Sequence, residues 1–252
     1  MTKIILSGCS GKMGKVIARE IETRDDCKVI AGVDVFSDNS FDFPVYDDFS
    51  KVQENADAII DFSNPAVLNG LLTYAVAKKV PAVICTTGFS NEQVTQIKNA
   101  AEQVAIFYSG NMSLGINLLI ELAKKATQVF GSAFDVEIIE KHHNQKLDAP
   151  SGTALMIADG ISQVMTNEPQ YVYDRHSYRK KREKNEIGIH AVRGGTIVGE
   201  HQVIFAGHDE VLTITHQAQS KEVFAIGSIN AAVYLSKKNP GMYDMSDMLQ
   251  GK

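Results

Sequence analysis

The sequence has few cysteines and no long hydrophobic segment, and each shortage argues against a class of protein. Its three cysteines, Cys9, Cys27 and Cys85, are too few for a disulfide framework, and their spacing does not match a metal site. No stretch reaches the roughly 18 uninterrupted apolar residues that a membrane span requires. The short apolar run at the start ends at Ser7, so we expect no secretory signal peptide and a cytoplasmic protein.

Positive charge is not in excess either. The formal net charge is -5 at pH 7, so we expect neither nucleic acid nor an anionic membrane as the main partner. Hydrophobic residues make up 44% of the chain and charged residues 22%, which is typical of a folded globular protein and not of a disordered one. With 252 residues, the chain is long enough for two domains.

The first part of the chain alternates short apolar strands with helices. The predicted strands cover residues 3–6, 28–35, 56–62, 81–85 and 104–108. The predicted helices cover residues 13–22 and 65–79, and a third runs from residue 90 or 91 to residue 103. This alternation predicts an α/β domain with a doubly wound parallel sheet.

The pattern changes after residue 111. Helices are predicted at residues 116–129, 152–165 and 224–236. Strands are predicted at residues 134–141, 187–192, 201–206 and 211–217, with a hairpin connection at 207–210. This arrangement predicts a C-terminal α+β domain with an open mixed sheet covered by helices.

One basic segment, residues 174–184, lacks both helix and strand periodicity. A run of charge with no periodicity is typical of a solvated loop. A loop that contacts a neighbouring subunit is the alternative, and both remain open from the sequence.

A glycine-rich turn joins the first strand to the first helix. Gly8, Gly11 and Gly14 are spaced as G-x-x-G-x-x-G, which differs from the commoner G-x-G-x-x-G. Glycines at such a junction let the backbone turn tightly and approach a pyrophosphate. The helix N-terminus then presents N–H groups and the positive end of its dipole to the phosphates. The position of the turn between strand and helix therefore predicts a dinucleotide site.

Asp34 lies at the end of the second predicted strand. An acidic residue there accepts hydrogen bonds from the ribose hydroxyls of adenosine, although a simple turn residue is the alternative. No arginine follows in Val35-Phe36-Ser37, and Lys12 in the glycine turn is the only cation nearby. A 2′-phosphate would meet the carboxylate with little compensation. We therefore expect NADH to be used at least as well as NADPH.

A cationic segment precedes the helix predicted at residue 152. His142, His143 and Lys146 lie within it, and Gly152 and Thr153 begin the helix. Backbone N–H groups at a helix start bind carboxylates, and a histidine transfers protons near neutral pH. A zinc site is a poor alternative because no cysteine or third matching ligand is nearby. A solvated loop without a function is the second alternative. The pattern predicts an anion site with acid–base chemistry.

The order of the motifs along the chain resembles the dihydrodipicolinate reductase family, also called 4-hydroxy-tetrahydrodipicolinate reductase. The motifs are G-x-x-G-x-M-G from Gly8, D-F-S-x-P from Asp61, T-T-G-F from Thr86, N-M-S-x-G from Asn111, E-x-H-H-x-x-K-x-D-A-P-S-G-T from Glu140 and R-G-G-T-I-V-G-E-H from Arg193. The resemblance implies NAD(P)H-dependent reduction of a cyclic imine dicarboxylate in the diaminopimelate route to lysine, by a homotetramer.

The resemblance also implies the bounds of two domains and the roles of individual residues. A Rossmann-like dinucleotide-binding domain would comprise residues 1–112 plus 228–252, and a substrate-binding and oligomerisation domain residues 113–227. His142 would be the proton donor or acceptor and Lys146 a proton donor. His143, Gly152 and Thr153 would hold substrate carboxylates. The nucleotide would lie against Gly8, Cys9, Ser10, Gly11, Lys12, Met13, Asp34, Cys85, Thr86, Thr87, Ser109, Gly110, Asn111 and Met112.

The chain departs from many members of that family at two positions. Cys85 stands where a small residue precedes Thr-Thr-Gly, and no arginine follows the acidic ribose residue. Two other functions compete. An aspartate-semialdehyde-type oxidoreductase would use Cys85 as its nucleophile, but the local motif contains no activating base. A nucleotide-sensing binding protein would not need the His-His-x-x-Lys cluster.

Overall fold

The structure is a computed structural model that describes residues 1–36 and 41–251. Ser37, the last residue of the stretch used above to predict cofactor choice, lies outside the described residues. The chain divides into two compact units. The first unit comprises Met1–Ser113 with Glu222–Lys252, and the second comprises Leu114–Lys221.

The described residues form twelve strands and seven α-helices. The strands are β1 (Thr2–Ser7), β2 (Cys27–Val33), β3 (Val45–Tyr46), β4 (Ala58–Asp61), β5 (Ala82–Ile84), β6 (Ala105–Tyr108), β7 (Asp135–His142), β8 (Gln170–Val172), β9 (Glu186–Arg193), β10 (Gly199–Ala206), β11 (Val211–Ala218) and β12 (Gly241–Tyr243). The helices are α1 (Lys12–Glu22), α2 (Leu68–Lys78), α3 (Asn91–Ala101), α4 (Leu114–Phe130), α5 (Gly152–Ser162), α6 (Glu222–Leu235) and α7 (Met245–Gln250). None of the helices in the described part of the chain has the length and apolar character needed to cross a membrane.

The first unit contains a parallel sheet. Among the described residues its strand order is β3-β2-β1-β4-β5-β6-β12, and every neighbouring pair is parallel. The strand order reverses direction between β1 and β4, which is the topological switch point of a doubly wound sheet. Side chains such as Ile5, Ile59 and Ile84 are fully buried in its core. The predicted Rossmann-like sheet is therefore confirmed.

Helix α6 returns the chain to the first unit. It packs on α1, β4, β5 and β6 over its length, and seven of its fourteen residues are buried. Gly227 is essential to this packing because a Cβ there would overlap the carbonyl oxygen of Met112. Since the helix begins at Glu222, the return precedes the boundary at residue 228 that the family resemblance implied.

The second unit contains a mixed sheet of order β11-β10-β7-β9-β8. Strand β7 pairs antiparallel with β10 and parallel with β9, as expected of an open mixed sheet. Helices α4 and α5 pack together on one face, where Ile138, Ile157 and Phe205 are fully buried. The predicted α+β architecture is confirmed.

The basic segment at residues 174–184 has no helix or strand, as predicted. Two of its three arginines are nevertheless not fully solvated. Arg175 donates to Glu186 at 2.7 Å and to Glu137 at 2.9 Å, and Arg182 donates to the carbonyl oxygens of Val136 and Glu186. The segment is therefore held against the second sheet by charge pairing, which its composition alone did not indicate.

Candidate active site

The residues predicted to bind a nucleotide follow the carboxyl ends of the parallel strands in the first unit. Residues 8–13 follow β1, Asp34 follows β2, residues 85–87 follow β5 and residues 109–112 follow β6. Because the strands are parallel, these segments lie at one edge of the sheet, on both sides of the switch point. Dinucleotides bind at that edge in sheets of this order.

The glycine turn fits a pyrophosphate. Gly8 has φ of 76°, and a Cβ on it would lie 2.5 Å from the carbonyl oxygen of Phe62. A Cβ on Gly14 would overlap the carbonyl oxygen of Gly8. Gly11 is the N-cap of α1, so no side chain caps the helix, and its first turn contains no acidic residue. The positive end of the helix dipole is therefore not neutralised locally and can accept phosphate.

Asp34 organises the loop that follows β2. Its carboxylate accepts the backbone N–H of Ser10 at 3.0 Å and that of Phe36 at 3.1 Å, while the hydroxyl of Ser10 donates to the carbonyl of Phe36 at 2.7 Å. A cavity of about 480 Å³ lies beside this loop and is lined by residues that include Gly8, Gly11, Asp34, Phe36, Ser63 and Asn64. Asp34 is thus both a turn residue and part of a cavity wall.

The other predicted nucleotide residues differ in side-chain access. Lys12, Thr87 and Gly110 are exposed, and Ser10 and Met13 are partly buried. Cys9 is fully buried. Asn111 and Met112 are also buried, and the side-chain oxygen of Asn111 accepts the N–H of Ser113 at 2.8 Å. Ser109 donates to the carbonyl of Asn111 at 3.0 Å, so this segment forms a compact turn.

Cys85 is half-buried next to the buried Thr86. Burial raises the pKa of the Cys85 thiol well above its ordinary value, and the nearby Asp61 carboxylate raises it further. A thiol in that state is a weak nucleophile near neutral pH. This environment argues against an enzyme that uses Cys85 as its nucleophile.

The cationic segment lies in the second unit, between the end of β7 and the start of α5. His142 is the last residue of β7, and the N–H of Lys146 donates to the carbonyl of His143 at 3.2 Å. The ammonium group of Lys146 pairs with Asp148 at 2.8 Å. His142 thus ends β7, and the predicted residues His143 and Lys146 follow it in the loop.

Helix α5 begins at the end of that loop. Its N-cap is Ser151, whose hydroxyl accepts the N–H of Ala154 at 3.1 Å. Gly152 and Thr153 are the first two helical residues, and a Cβ on Gly152 would meet no atom within 4 Å. The N–H groups of a first helical turn and the positive dipole end attract a carboxylate, so the geometry suits an anion site.

Glu140 was present in the motif, but the sequence assigned it no role. It is fully buried, and its carboxylate contacts Nδ1 of His142 at 2.6 Å, both terminal nitrogens of Arg193 at 2.7 Å and the N–H of Ser151 at 3.0 Å. Burial raises the pKa of Glu140, but the hydrogen bonds from Arg193, His142 and Ser151 outweigh it and hold the pKa below its ordinary value. The strand period of two could have revealed the pair, because Glu140 and His142 share a face of β7.

His201 was likewise present in a motif without a role. It is 4% exposed, and its Nε2 lies 2.9 Å from the hydroxyl of Ser151. Its ring stands edge-on to that of His142, with centroids 5.2 Å apart. Burial lowers the pKa of His201 to about 4, and the neighbouring His142 contributes to the shift. His201 is therefore neutral at physiological pH.

Metal coordination has no support among the described residues, where no group of three His, Cys, Asp or Glu side chains is arranged to hold an ion. The second unit instead offers a helix start for an anion and a histidine oriented by a carboxylate. The first unit offers a sheet edge suited to a dinucleotide. Together these are the parts of a reductase that acts on an anionic substrate.

Comparison with known proteins agrees with this chemistry. The family model described as "Dihydrodipicolinate reductase, N-terminus" matches residues 2–112, and "Dihydrodipicolinate reductase, C-terminus" matches residues 115–249. The 4-hydroxy-tetrahydrodipicolinate reductase of Caldanaerobacter subterraneus subsp. tengcongensis is 52% identical, over 99% of both chains. That of Clostridium novyi is 47% identical over the full length of both.

A solved structure gives the same result. Dipicolinate-bound dihydrodipicolinate reductase from Paenisporosarcina sp. TG-14 superimposes with a TM-score of 0.82 at 25% identity and covers 97% of both chains. The resemblance in the motifs is therefore confirmed over the whole length of the sequence. The chain belongs to the dihydrodipicolinate reductase family.

Proposed function

We propose that this protein reduces 4-hydroxy-tetrahydrodipicolinate, the hydrated form of dihydrodipicolinate, to tetrahydrodipicolinate with loss of one water, in the diaminopimelate route to lysine, using NADH or NADPH. The observation that carries the proposal is the loop between β7 and α5. His142 ends β7, Lys146 lies in this loop, and the loop leads into a helix start that suits a carboxylate. A cyclic dicarboxylate that must be protonated during reduction needs this combination of groups.

The residues of the second unit bind the substrate and transfer protons. Gly152 and Thr153 hold one carboxylate through the helix start, and His143 adds a polar contact to a carboxylate. A bound nicotinamide supplies a hydride to an unsaturated carbon conjugated to the ring imine. Negative charge then develops on the conjugated system. Lys146 donates the proton that neutralises this charge, and His142 exchanges a proton with the substrate.

The residues of the first unit hold the cofactor. The first turn of α1 binds the pyrophosphate, and Asp34 accepts hydrogen bonds from the ribose hydroxyls of the adenosine. Residues 85–87 and 109–112 bind on the nicotinamide side of the switch point. Since Val35 and Phe36 follow Asp34 and neither carries a positive charge, NADH is used at least as well as NADPH.

The protein assembles as a homotetramer through the second unit. Helices α4 and α5 cover one face of its sheet. The opposite face carries Ile139 and Ile204, which are partly exposed, together with Thr213 and Thr215, which are exposed. Burying such a mixed apolar face against other copies would remove it from water. Sedimentation analysis of Ile204→Lys tests this, because a charge on that face should yield smaller species than the unaltered chain forms.

One assay tests the function. The protein is mixed with NADH and enzymatically made substrate, and the loss of NADH absorbance is followed. Substrate-dependent oxidation that disappears in His142→Asn is expected. Binding of NADH without oxidation would instead indicate a nucleotide-sensing protein. Turnover of an aspartate semialdehyde that is lost in Cys85→Ala would indicate the Cys85-dependent oxidoreductase.

A further inference from the structure

We infer that Glu140 is a positioning residue for His142: its carboxylate holds the proton of the neutral imidazole on Nδ1, which makes Nε2 the atom that exchanges a proton with the substrate. The inference rests on the proposed function and deepens it, because the sequence motif leaves open which ring nitrogen reacts.

Glu140 and His142 lie two residues apart on β7, so their side chains share one face. The carboxylate and Nδ1 are 2.6 Å apart, which is the short distance of a charge-assisted hydrogen bond. An ionised carboxylate can only accept a hydrogen bond, so Nδ1 must be the donor. The neutral imidazole then carries its lone pair on Nε2, and that nitrogen takes up and releases the proton.

Arg193 keeps Glu140 in the form that this role requires. It pairs with His142 across the β7–β9 ladder and donates to both carboxylate oxygens at 2.7 Å. A bidentate guanidinium stabilises the ionised carboxylate and fixes its plane. The same guanidinium donates to the carbonyl of Asp148 at 2.6 Å, in the loop that carries Lys146. Glu140 is thus held rigidly while it orients the imidazole.

The carboxylate also connects the proton-transferring group to the anion site. One of its oxygens accepts the N–H of Ser151, the N-cap of α5, at 3.0 Å. Arg193 on β9 and His201 on β10 are charged or titratable neighbours of His142, and Lys146 and His216 also act electrostatically on this cluster. Nε2 of His201 lies 2.9 Å from the hydroxyl of Ser151. A change at Glu140 should therefore alter the orientation of His142 relative to the helix start.

The same strand offers a matched control. Glu137 lies on the opposite face of β7, accepts from Arg175 at 2.9 Å and contacts Nε2 of His190 at 2.8 Å. It therefore has the same types of partner, but its contacts lie on the face that does not carry His142. Glu137→Gln removes an equivalent carboxylate without touching the proposed proton-transfer group.

The experiment compares the unaltered protein with Glu140→Gln and Glu137→Gln. Nitrogen-15 NMR of labelled histidines reports the tautomer, and the His142 signals are assigned by their loss in His142→Asn. The unaltered protein should show His142 protonated on Nδ1 in its neutral form. Glu140→Gln should lose that preference, lower kcat by about 10- to 100-fold and displace the pH dependence of kcat, while KM changes less. Glu137→Gln, with its assembly checked by sedimentation because Glu137 pairs with Ile204 on the proposed interface face, should match the unaltered protein in all of these.

Different results overturn the two proposals. An Nε2-protonated His142 in the unaltered protein, or unchanged kcat and pH dependence in Glu140→Gln, would overturn the role of Glu140 while leaving the reductase function intact. Absence of reductase activity in the unaltered protein would overturn the function, while the NMR would still report the tautomer. If Glu140→Gln does not fold, Glu140→Asp replaces it. A weakened Nδ1–H preference together with reduced kcat in Glu140→Asp supports the inference, and a change in one of the two without the other contradicts it.

Discussion

The carboxylate of Asp34 accepts the backbone N–H of Ser10 at 3.0 Å, which ties the end of β2 to the glycine turn after β1. A second oxygen of the same carboxylate accepts the N–H of Phe36 at 3.1 Å. The negative charge is therefore fixed at the wall of the cavity beside the turn. At the proposed ribose site, a cofactor's ribose would meet a carboxylate whose position is already determined, and a 2′-phosphate would meet its charge.

Replacing Val35 by arginine should shift cofactor use toward NADPH. Val35 is 71% exposed and lines the cavity, so an arginine there can reach a 2′-phosphate without disturbing the core. The ratio of kcat/KM for NADPH to that for NADH should rise about 10-fold if about 1.4 kcal/mol of phosphate interaction is gained. Steady-state kinetics with both cofactors measures the ratio.

A companion variant tests the contribution of Lys12. Lys12 lies in the glycine turn, and its ammonium group is the cation near the proposed ribose site. Lys12→Ala should therefore reduce activity with NADPH more than with NADH. A strong preference of the unaltered protein for NADPH, combined with equal losses for both cofactors in Lys12→Ala, would show that this view of the ribose site is wrong.

Removing the amine of Lys146 should impair catalysis and spare cofactor binding. Lys146 lies in the loop before α5 and pairs with Asp148 at 2.8 Å, so Lys146→Ala removes a proton donor without opening the core. We expect kcat to fall by about 10²- to 10⁴-fold, the range for general acid–base groups. NADH affinity, measured by fluorescence titration, should stay unchanged. Lys125→Ala, an exposed position on α4, is the control, and equal rates in the two variants would remove Lys146 from the mechanism.

A planar pyridine-2,6-dicarboxylate should bind in competition with the substrate, because it presents two carboxylates on a flat ring. Titration calorimetry with NADH present measures its affinity. Gly152→Pro tests the helix start, since proline is tolerated at the first helical position and removes one N–H. Ser151 has ψ of 149°, which is compatible with a following proline.

The expected loss of affinity in Gly152→Pro is about 10-fold, for one hydrogen bond to a charged group. Gly152→Ala keeps the N–H and has room for its Cβ, so it should bind like the unaltered protein. Equal affinities for the alanine and proline variants would mean that this N–H does not hold the carboxylate.

Stability should fall between pH 6.5 and about 4 because of His201. Burial lowers its folded-state pKa from 6.5 to about 4. In this window His201 therefore binds a proton in the unfolded chain but not in the folded protein. The free energy of unfolding should decrease by about 3 kcal/mol as the pH falls through the window, with no contribution above pH 6.5. Urea unfolding of His201→Gln at the same pH values should show a shallower decline. Parallel curves would exclude His201 as the cause.

Local patterns along the chain were sufficient for the architecture of both units. Short apolar strands alternating with helices predicted the parallel sheet, because only helical crossovers return a chain to the same end of such a sheet. Strands β3, β8 and β12, of two or three residues each, were not predicted, whereas the equally short β5 was, because it lies within the apolar segment 81–85. The resemblance implied that the C-terminal part of the first unit starts at residue 228, and in the structure it starts at Glu222. This boundary depends on how α6 packs and not on local composition.

The sequence by itself determined which residue types gather before α5, since His142, His143, Lys146 and Gly152 are close neighbours along the chain. Only the tertiary structure decided what those residues contact. Glu140 is held by Arg193 and flanked by His201, which are more than fifty residues away in sequence and reach it through the registers of β7 with β9 and β10. Pairing between distant strands is set by the packing of the whole sheet, so the environment that buries Glu140 and lowers the pKa of His201 is not encoded in any local segment.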